Sequence, residues 1–327
     1  MLLVPRGSSA NRNATPYIRN GIPNCSGRES NMMLPTNLPR TGIWVNGLDL
    51  QAPAVTTGLA TELEELGLGA IWLSEGLAHD PFVTAAGLLS ATSRLTVGTG
   101  IAVTYGRHPH WMRASARAVL DAYPGRFVFG AGTSNPRVVE EVLGLEYRRP
   151  LAALRDYLDD LDTPDTLRAQ LGLPDAGRLP RVLAALGPSA LRLARDRADG
   201  AITYLVTPEH TAHARAVLGP DRTLVVEQAV VVGTGDEDAR TRAHAHVGAY
   251  LSNPGYRASW QRLGFTDTDL TGSDRLVDAL VAIGEDQVQQ RIAAHIAAGA
   301  DHVCLQALPA EPFTIPAQQW KLLAAID

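Results

Sequence analysis

The sequence predicts an α/β chain folded as a (β/α)8 TIM barrel with helical insertions after strands 4 and 7. Three observations lead there. Short apolar runs alternate with helical patterns eight times after Pro39. The runs are apolar on both faces, as parallel strands covered by helices must be. Eight such units in about 290 residues suit a closed parallel barrel better than an open sheet.

Thr41–Val45 reads as the first strand, and Val55, Leu59, Leu63 and Leu66 follow at helical spacing before Gly67 stops the helix. Ala70–Ser74 is the second strand, followed by an Ala-rich helix over Pro81–Ala91 that opens with Asp-Pro. Leu95–Val103 is the third, with a helix from about Pro109 to Asp121. Arg126–Ala131 is the fourth, introduced by the turn Tyr123-Pro124-Gly125. Arg181–Leu186, Ala201–Leu205, Leu224–Val232 and His302–Ala307 complete the eight, and Pro316–Ile326 is the last helix. The connections Ser134–Pro180 and Gly233–Gly284 exceed what a minimal barrel needs. Both follow strands, so both belong to the C-terminal face, where barrel active sites lie. The second carries an aromatic cluster, Tyr250, Tyr256 and Trp260.

Composition narrows the function. The chain has 327 residues, 45% of them hydrophobic, and no long apolar run, which gives a sizeable core and no membrane span. Two cysteines, Cys25 and Cys304, make no disulfide framework or zinc spacing, so a reducing cytoplasm is the simplest compartment. A net charge of −5 without a basic block argues against a nucleic-acid partner. Residues 1–38 read as a leader outside the 39–327 barrel domain. They are rich in Asn, Arg, Ser, Gly and Pro, they include a thrombin-cleavage sequence at Leu3–Ser8, and loose packing or disorder is expected of them.

No nucleophile elbow, P-loop, HExxH or dinucleotide fingerprint is present. Two strand ends are informative. Gly98 and Gly100 interrupt an apolar strand, which marks a bulge or the close approach of a ligand. Leu186-Gly187-Pro188 joins strand five to a helix that is either an ordinary helix start or one whose first N–H groups would face an anion, each helped by about 0.3–1 kcal/mol from the helix dipole.

With these motifs in place, the chain resembles the bacterial luciferase-like superfamily of flavin- and deazaflavin-dependent oxidoreductases. The resemblance is densest over Asp80–Pro109 and Pro124–Pro136. The stretches Tyr204–Thr211, Gly272–Gly284 and Ala298–Leu308 are similar to an actinobacterial branch of coenzyme F-420-dependent oxidoreductases. The resemblance implies an enzyme that transfers a hydride between coenzyme F-420, a deazaflavin, and a small organic substrate, acting as a homodimer. It implies a non-prolyl cis peptide at Gly100-Ile101 behind the cofactor ring. It places cofactor-binding positions at Trp44, Glu75, Thr99, Gly100, Ile101, Thr133, Ser134, Asn135, Leu186, Gly187, Pro188 and Tyr204.

Two residues are candidates for proton transfer. Glu75 stands at the end of strand two, where a buried carboxyl can have a raised pKa, and His108 lies on the loop after strand three. The structural alternatives are a carboxylate bonded to backbone or arginine and an exposed loop histidine. Arg107, Arg137, Arg148 and Arg149 are candidate partners for the anionic tail of a deazaflavin. The sequence departs from the pattern in lacking a strand-two histidine and in placing neutral Asn135 where some deazaflavin dehydrogenases have a glutamate. Those departures keep two alternatives open: an FMN-dependent monooxygenase that uses oxygen, and a non-catalytic flavin-binding barrel. No metal is expected.

Overall fold

The computed structural model describes residues 34–35, 38–76, 78–172 and 177–326; most of the expected leader lies outside them. Strands β1 (Thr41–Val45), β2 (Ala70–Leu73), β3 (Thr96–Thr99) and β4 (Ala102–Val103) alternate with helices α1 (Pro53–Glu65) and α2 (Pro81–Ala91). After α3 (Pro109–Ala122) come β5 (Phe127–Val128), β6 (Gly130–Gly132), α4 (Pro150–Leu161), α5 (Thr166–Gln170), β7 (Val182–Ala184), α6 (Pro188–Arg197), β8 (Gly200–Thr203) and α7 (Pro208–Leu218). The chain ends with β9 (Thr223–Val231), α8 (Asp236–Gly248), α9 (Pro254–Arg262), α10 (Asp274–Leu280), β10 (Val281–Ile283), α11 (Glu285–Ala297), β11 (His302–Ala307) and α12 (Ala317–Leu323).

The third expected strand is split at Gly100-Ile101 into β3 and β4, and the fourth at Phe129 into β5 and β6. β3 pairs with β5, and β4 with β6. The parallel ladder runs from β4 and β6 through β7, β8, β9, β11, β1 and β2 to β3 and β5, so the sheet curls back on its own interrupted strands. β10 is a departure from the sequence reading, which took Gly233–Gly284 as helical. β8 pairs with β9 over Thr223–Val226 and then leaves the sheet; β10 pairs with β9 over Ala229–Val231. The leftover backbone edge of β9 thereby finds its hydrogen bonds.

Two glycines on β3 and at its end shape the interior. An ideal Cβ on Gly98 would stand 2.4 Å from the Trp72 ring, and one on Gly100 would stand 2.4 Å from Trp44. The close approach expected from these glycines is therefore made by the chain's own indoles. Trp44 and Trp72 form an interior cluster with Val128, Val182, Ile202, Val225 and Cys304, against which Leu34 and Leu38 also pack. These two residues correct the expectation of loose packing up to residue 38. Trp72 Nε1–H donates to His302 Nε2 at 2.9 Å. His302 therefore carries its ring proton on Nδ1, which donates to the Pro39 carbonyl.

Gly98→Ala is expected to lower unfolding stability by about 1–3 kcal/mol through overpacking against Trp72. Gly58, with nothing within 4 Å of an added Cβ in exposed α1, is the control. Its alanine variant should gain about 0.5–1 kcal/mol. Urea denaturation midpoints check both, and an unchanged midpoint for Gly98→Ala would contradict the packing described.

Candidate active site

The C-terminal ends of the strands form a half-buried mouth that includes Ile101, Thr133, Ser134, Ala184, Leu186 and Tyr204. The Gly100-Ile101 peptide is cis, at the position the resemblance implies. Gly100 N–H is held by the Leu73 carbonyl at 2.8 Å, and Trp44 covers its other side. Trp44 is 4% exposed, and its Nε1–H donates to Asn46 Oδ1 at 3.0 Å. Thr99 has a different place from the one expected of a ligand contact. Its side chain is fully buried, and its hydroxyl both donates to Gly130 O and accepts from Gly130 N, each at 2.8 Å.

Glu75 is tied on both oxygens. Val103 N–H donates to Oε2 at 2.6 Å, and the Arg107 guanidinium reaches Oε2 at 3.1 Å and Oε1 at 3.0 Å. Arg107 also donates to Asp80 Oδ2 at 2.8 Å, while Asp80 Oδ1 caps α2 through Phe82 N–H at 2.9 Å. Burial pushes the Glu75 carboxyl up, against the opposing pull of Val103 N–H and Arg107. As an acceptor of three hydrogen bonds it fixes β4 and the following loop. His108 is exposed and caps α3, its Nδ1 accepting from His110 N–H at 3.1 Å. The bland readings of both residues, a paired carboxylate and an exposed loop histidine, describe these positions.

At the end of strand four, Ser134 has φ 58°, in the left-handed region. Tyr147 donates to the Ser134 carbonyl at 3.2 Å, so its contact with Thr133 Oγ1 at 3.3 Å has the threonine as donor. The Asn135 carboxamide accepts from Val138 N–H at 3.1 Å and so starts the next helical turn. Three of the four arginines expected at an anionic tail are matched by acids: Arg107 as above, Arg137 by Glu141 and Arg148 by Glu146. Arg149 has φ 44° at the start of α4.

The turn after β7 is better supplied for an anion. Gly187 is the extended N-cap of α6 and offers no side-chain cap. With Pro188 at the first helical position, Ser189 and Ala190 N–H lack intrahelical acceptors. The Arg262 guanidinium stands beside the turn, 3.6 Å from where a Gly187 Cβ would be. His210 Nε2 lies 2.8 Å from the Leu186 carbonyl and must carry the proton there; burial keeps this histidine's pKa below its usual value. An open cleft of about 460 Å³ continues between α4 and α6, lined in part by Arg155, Ser189 and Arg192.

Tyr204 is held from several sides. Its ring meets Trp44 at a centroid distance of 5.2 Å, and its hydroxyl donates to Gln306 Oε1 at 2.8 Å. The next residue, Leu205, has φ 55°, an unfavourable value for a branched side chain. Leu205 N–H donates to Glu227 Oε2 at 2.8 Å, and its carbonyl accepts from Trp260 Nε1 at 3.2 Å. This clamp holds the turn that aims Tyr204. Glu227 is fully buried, and burial raises its pKa to about 8, opposed by the Leu205 N–H. Sequence reasoning passed over Glu227 although a charged residue inside LVVEQAVVV is the signal to look for. It also missed Tyr147, Arg262 and Gln306, whose places depend on distant segments.

These residues suit a flavin-type cofactor. The Leu186–Pro188 turn, free first-turn N–H groups and the Arg262 guanidinium fit a phosphate, while the half-buried mouth beside Gly100-Ile101 can receive a planar ring. The class defined by barrel and mouth is that of flavin- and deazaflavin-dependent oxidoreductases and monooxygenases. The chain belongs to the luciferase-like monooxygenase family, which it matches over residues 38–302. It is 24% identical to a candidate coenzyme F-420-dependent oxidoreductase of Mycobacterium tuberculosis, with 83% of this chain and 96% of that protein covered. It is 31% identical to an F-420-dependent glucose-6-phosphate dehydrogenase of Nakamurella multipartita, over 46% of this chain and 52% of that one. Its fold is similar to an F-420-dependent secondary alcohol dehydrogenase in complex with an F-420–acetone adduct (TM-score 0.68, 13% identity, covering 88% of this chain and 98% of that one). It is also similar to an FMN-bound type II Baeyer–Villiger monooxygenase from Pseudomonas putida (TM-score 0.62, 15% identity, covering 88% and 97%).

Glu227 gives a pH test. Its carboxyl ionises near the ordinary 4.5 when unfolded but near 8 when folded, so the folded state binds the extra proton between those values. Stability should therefore fall as pH rises through that window, by roughly 1 kcal/mol per pH unit. Glu227→Gln keeps an acceptor for Leu205 and should remove this slope. Urea melts from pH 5 to 8 check it, and parallel curves for the two proteins would count against a neutral buried acid.

Proposed function

We propose that this chain is an oxidoreductase that transfers a hydride between coenzyme F-420 and a small organic molecule. The observation that carries the choice of cofactor is the basic continuation of the anion turn. Beyond the α6 N-terminus and Arg262, the cleft between α4 and α6 carries Arg155 and Arg192 on its wall, with Arg197, itself paired to Asp159 and Asp162, and a single acid, Asp196. FMN has one phosphate to place there, whereas the deazaflavin coenzyme carries a phosphodiester and a carboxylated tail that extend further. The F-420 names of two relatives support the same reading.

When bound, the deazaflavin supplies or accepts the hydride. The protein's part is to position and to exclude water. Trp44 and the Gly100-Ile101 peptide back the ring position, while the Leu186–Pro188 turn, Ser189, Ala190 and Arg262 hold the phosphate. Glu75 and Arg107 keep the loop beside β4 in place. The same reading takes the protein to work as a homodimer in the cytoplasm. Val83 and Trp111, 71% and 66% exposed on the neighbouring helices α2 and α3, are apolar surface suited to a second copy. Among the described residues, no helix is long and apolar enough to cross a membrane.

A second reading, an FMN-dependent monooxygenase, has the fold similarity to the FMN-bound enzyme in its favour. Parallel fluorescence titrations separate the two. F-420 should bind at least about tenfold more tightly than FMN, and Arg262→Ala should weaken F-420 by about tenfold, the effect of one lost charge-assisted contact. Its melting temperature should stay unchanged. Tight FMN binding without any response to F-420 would reverse the assignment.

A further inference from the structure

We propose that the aromatic basin formed by Trp44, Tyr204, Tyr250, Tyr256 and His246 is the substrate subsite of this protein, and that it takes an uncharged, planar molecule. This rests on the oxidoreductase reading for the term substrate, while the binding it describes requires no cofactor.

The basin is built where the insertion helices meet the strand ends. Tyr204 follows β8, His246 and Tyr250 stand on α8 and its C-terminal extension, and Tyr256 stands on α9. The ring centroids of Tyr250 and Tyr256 are 4.9 Å apart, those of Tyr204 and Tyr250 5.5 Å, and those of His246 and Tyr250 5.5 Å. Tyr204, His246, Tyr250 and Tyr256 are each half-buried as whole residues. Trp44 ties the basin to the mouth, because it touches Tyr204 on one side and Gly100 on the other.

The polar groups of the basin are neutral. His246 Nε2 is buried and has no hydrogen-bond partner among the described residues, and burial lowers its pKa to about 4. Glu227 neighbours Tyr204 on the interior face, as the β8–β9 register and its pairing with Cys304 require. Its Oε1 is likewise buried without a partner, and the acid stays protonated below about 8. Glu227 in turn pushes up the ionisation of Tyr204, Tyr250, Tyr256 and Cys304, none of them a cation. Tyr250 donates its proton to Tyr204 at 3.1 Å and keeps its oxygen lone pairs for a ligand. A charged substrate entering this basin would lose its hydration without gaining a counter-ion. A phosphorylated sugar, the substrate in the name of the Nakamurella relative, would find no cation among the basin residues.

The test uses three compounds of one shape: 4-methylbenzaldehyde, 4-methylbenzoate and 4-methylbenzylamine, titrated calorimetrically into the full chain without cofactor at pH 6.5. The aldehyde should bind at least about tenfold more tightly than either ion, the margin set by desolvating an unpaired charge. Tyr250→Leu and Tyr256→Leu should each weaken the aldehyde severalfold while F-420 binding, read by fluorescence, stays as in the unaltered protein. Gly58→Ala, on the exposed face of α1, should change neither. Preference for the amine would make the basin a cation site with an ionised Glu227 and would overturn the proposal. So would equal binding of the benzoate, no binding of any of the three, or aldehyde binding indifferent to both tyrosine variants. Failure to bind F-420 with aldehyde binding retained would sink the cofactor assignment alone.

Discussion

The seating of two indoles on two residues without side chains organises this protein. Trp72 lies on Gly98 and Trp44 on Gly100, each closer than any Cβ would allow. With those rings inside, the third strand is interrupted after Thr99, its second half pairs with the second half of strand four, and the cis peptide falls at the break. Thr99 joins the neighbouring strands at that point by donating and accepting through one hydroxyl. Trp44 in turn is the wall against which Tyr204 stands. Core packing and the architecture of the mouth are thus one arrangement, and a change in the first is felt in the second.

Charge is distributed around the mouth in a consistent way. On the side of strands two to four, positive and negative groups cancel in place: Arg107 lies between Glu75 and Asp80, and Arg137 and Arg148 each face a glutamate. At the turn after β7 the Arg262 guanidinium meets a helix N-terminus with no side-chain cap, which leaves net positive potential there. Two strands further round, beside β9, burial holds Glu227 and His246 uncharged. An anionic group and a neutral one would accordingly be drawn to different parts of the same opening.

Much of the fold could be read in the sequence because parallel strands covered on both sides leave an unmistakable alternation of apolar runs and helices. Thr41–Val45 and His302–Ala307 coincide with the strands β1 and β11. β10 could not be read this way: Val281–Ile283 continues an apolar helical pattern, and only the backbone edge of β9 vacated by β8 makes it a strand. The uncapped helix start at Gly187-Pro188 could be read from local sequence, and the cis peptide at Gly100-Ile101 was what the resemblance implied. The site was illegible where the partner lies far along the chain. That Glu75 would be bound by Arg107, that Tyr147 would reach the Ser134 carbonyl, and that Arg262 would stand on Gly187 all depend on tertiary placement. Gly98 and Gly100 were recognised as places of close approach, but the approaching group turned out to be the chain's own tryptophans.

The hydroxyl row over β9 has a direction. Tyr250 gives its proton to Tyr204, and Tyr204 gives its own to the oxygen of Gln306. A carboxamide presents an oxygen on one side and an amino group of nearly the same size on the other. Turning the Gln306 amide over would offer Tyr204 a donor in place of an acceptor, and each hydroxyl down the row would reverse. The outermost oxygen, now a receiver of hydrogen bonds, would then become a giver. A single terminal torsion, on a residue only 4% exposed, therefore governs whether the wall greets an incoming molecule as base or as acid.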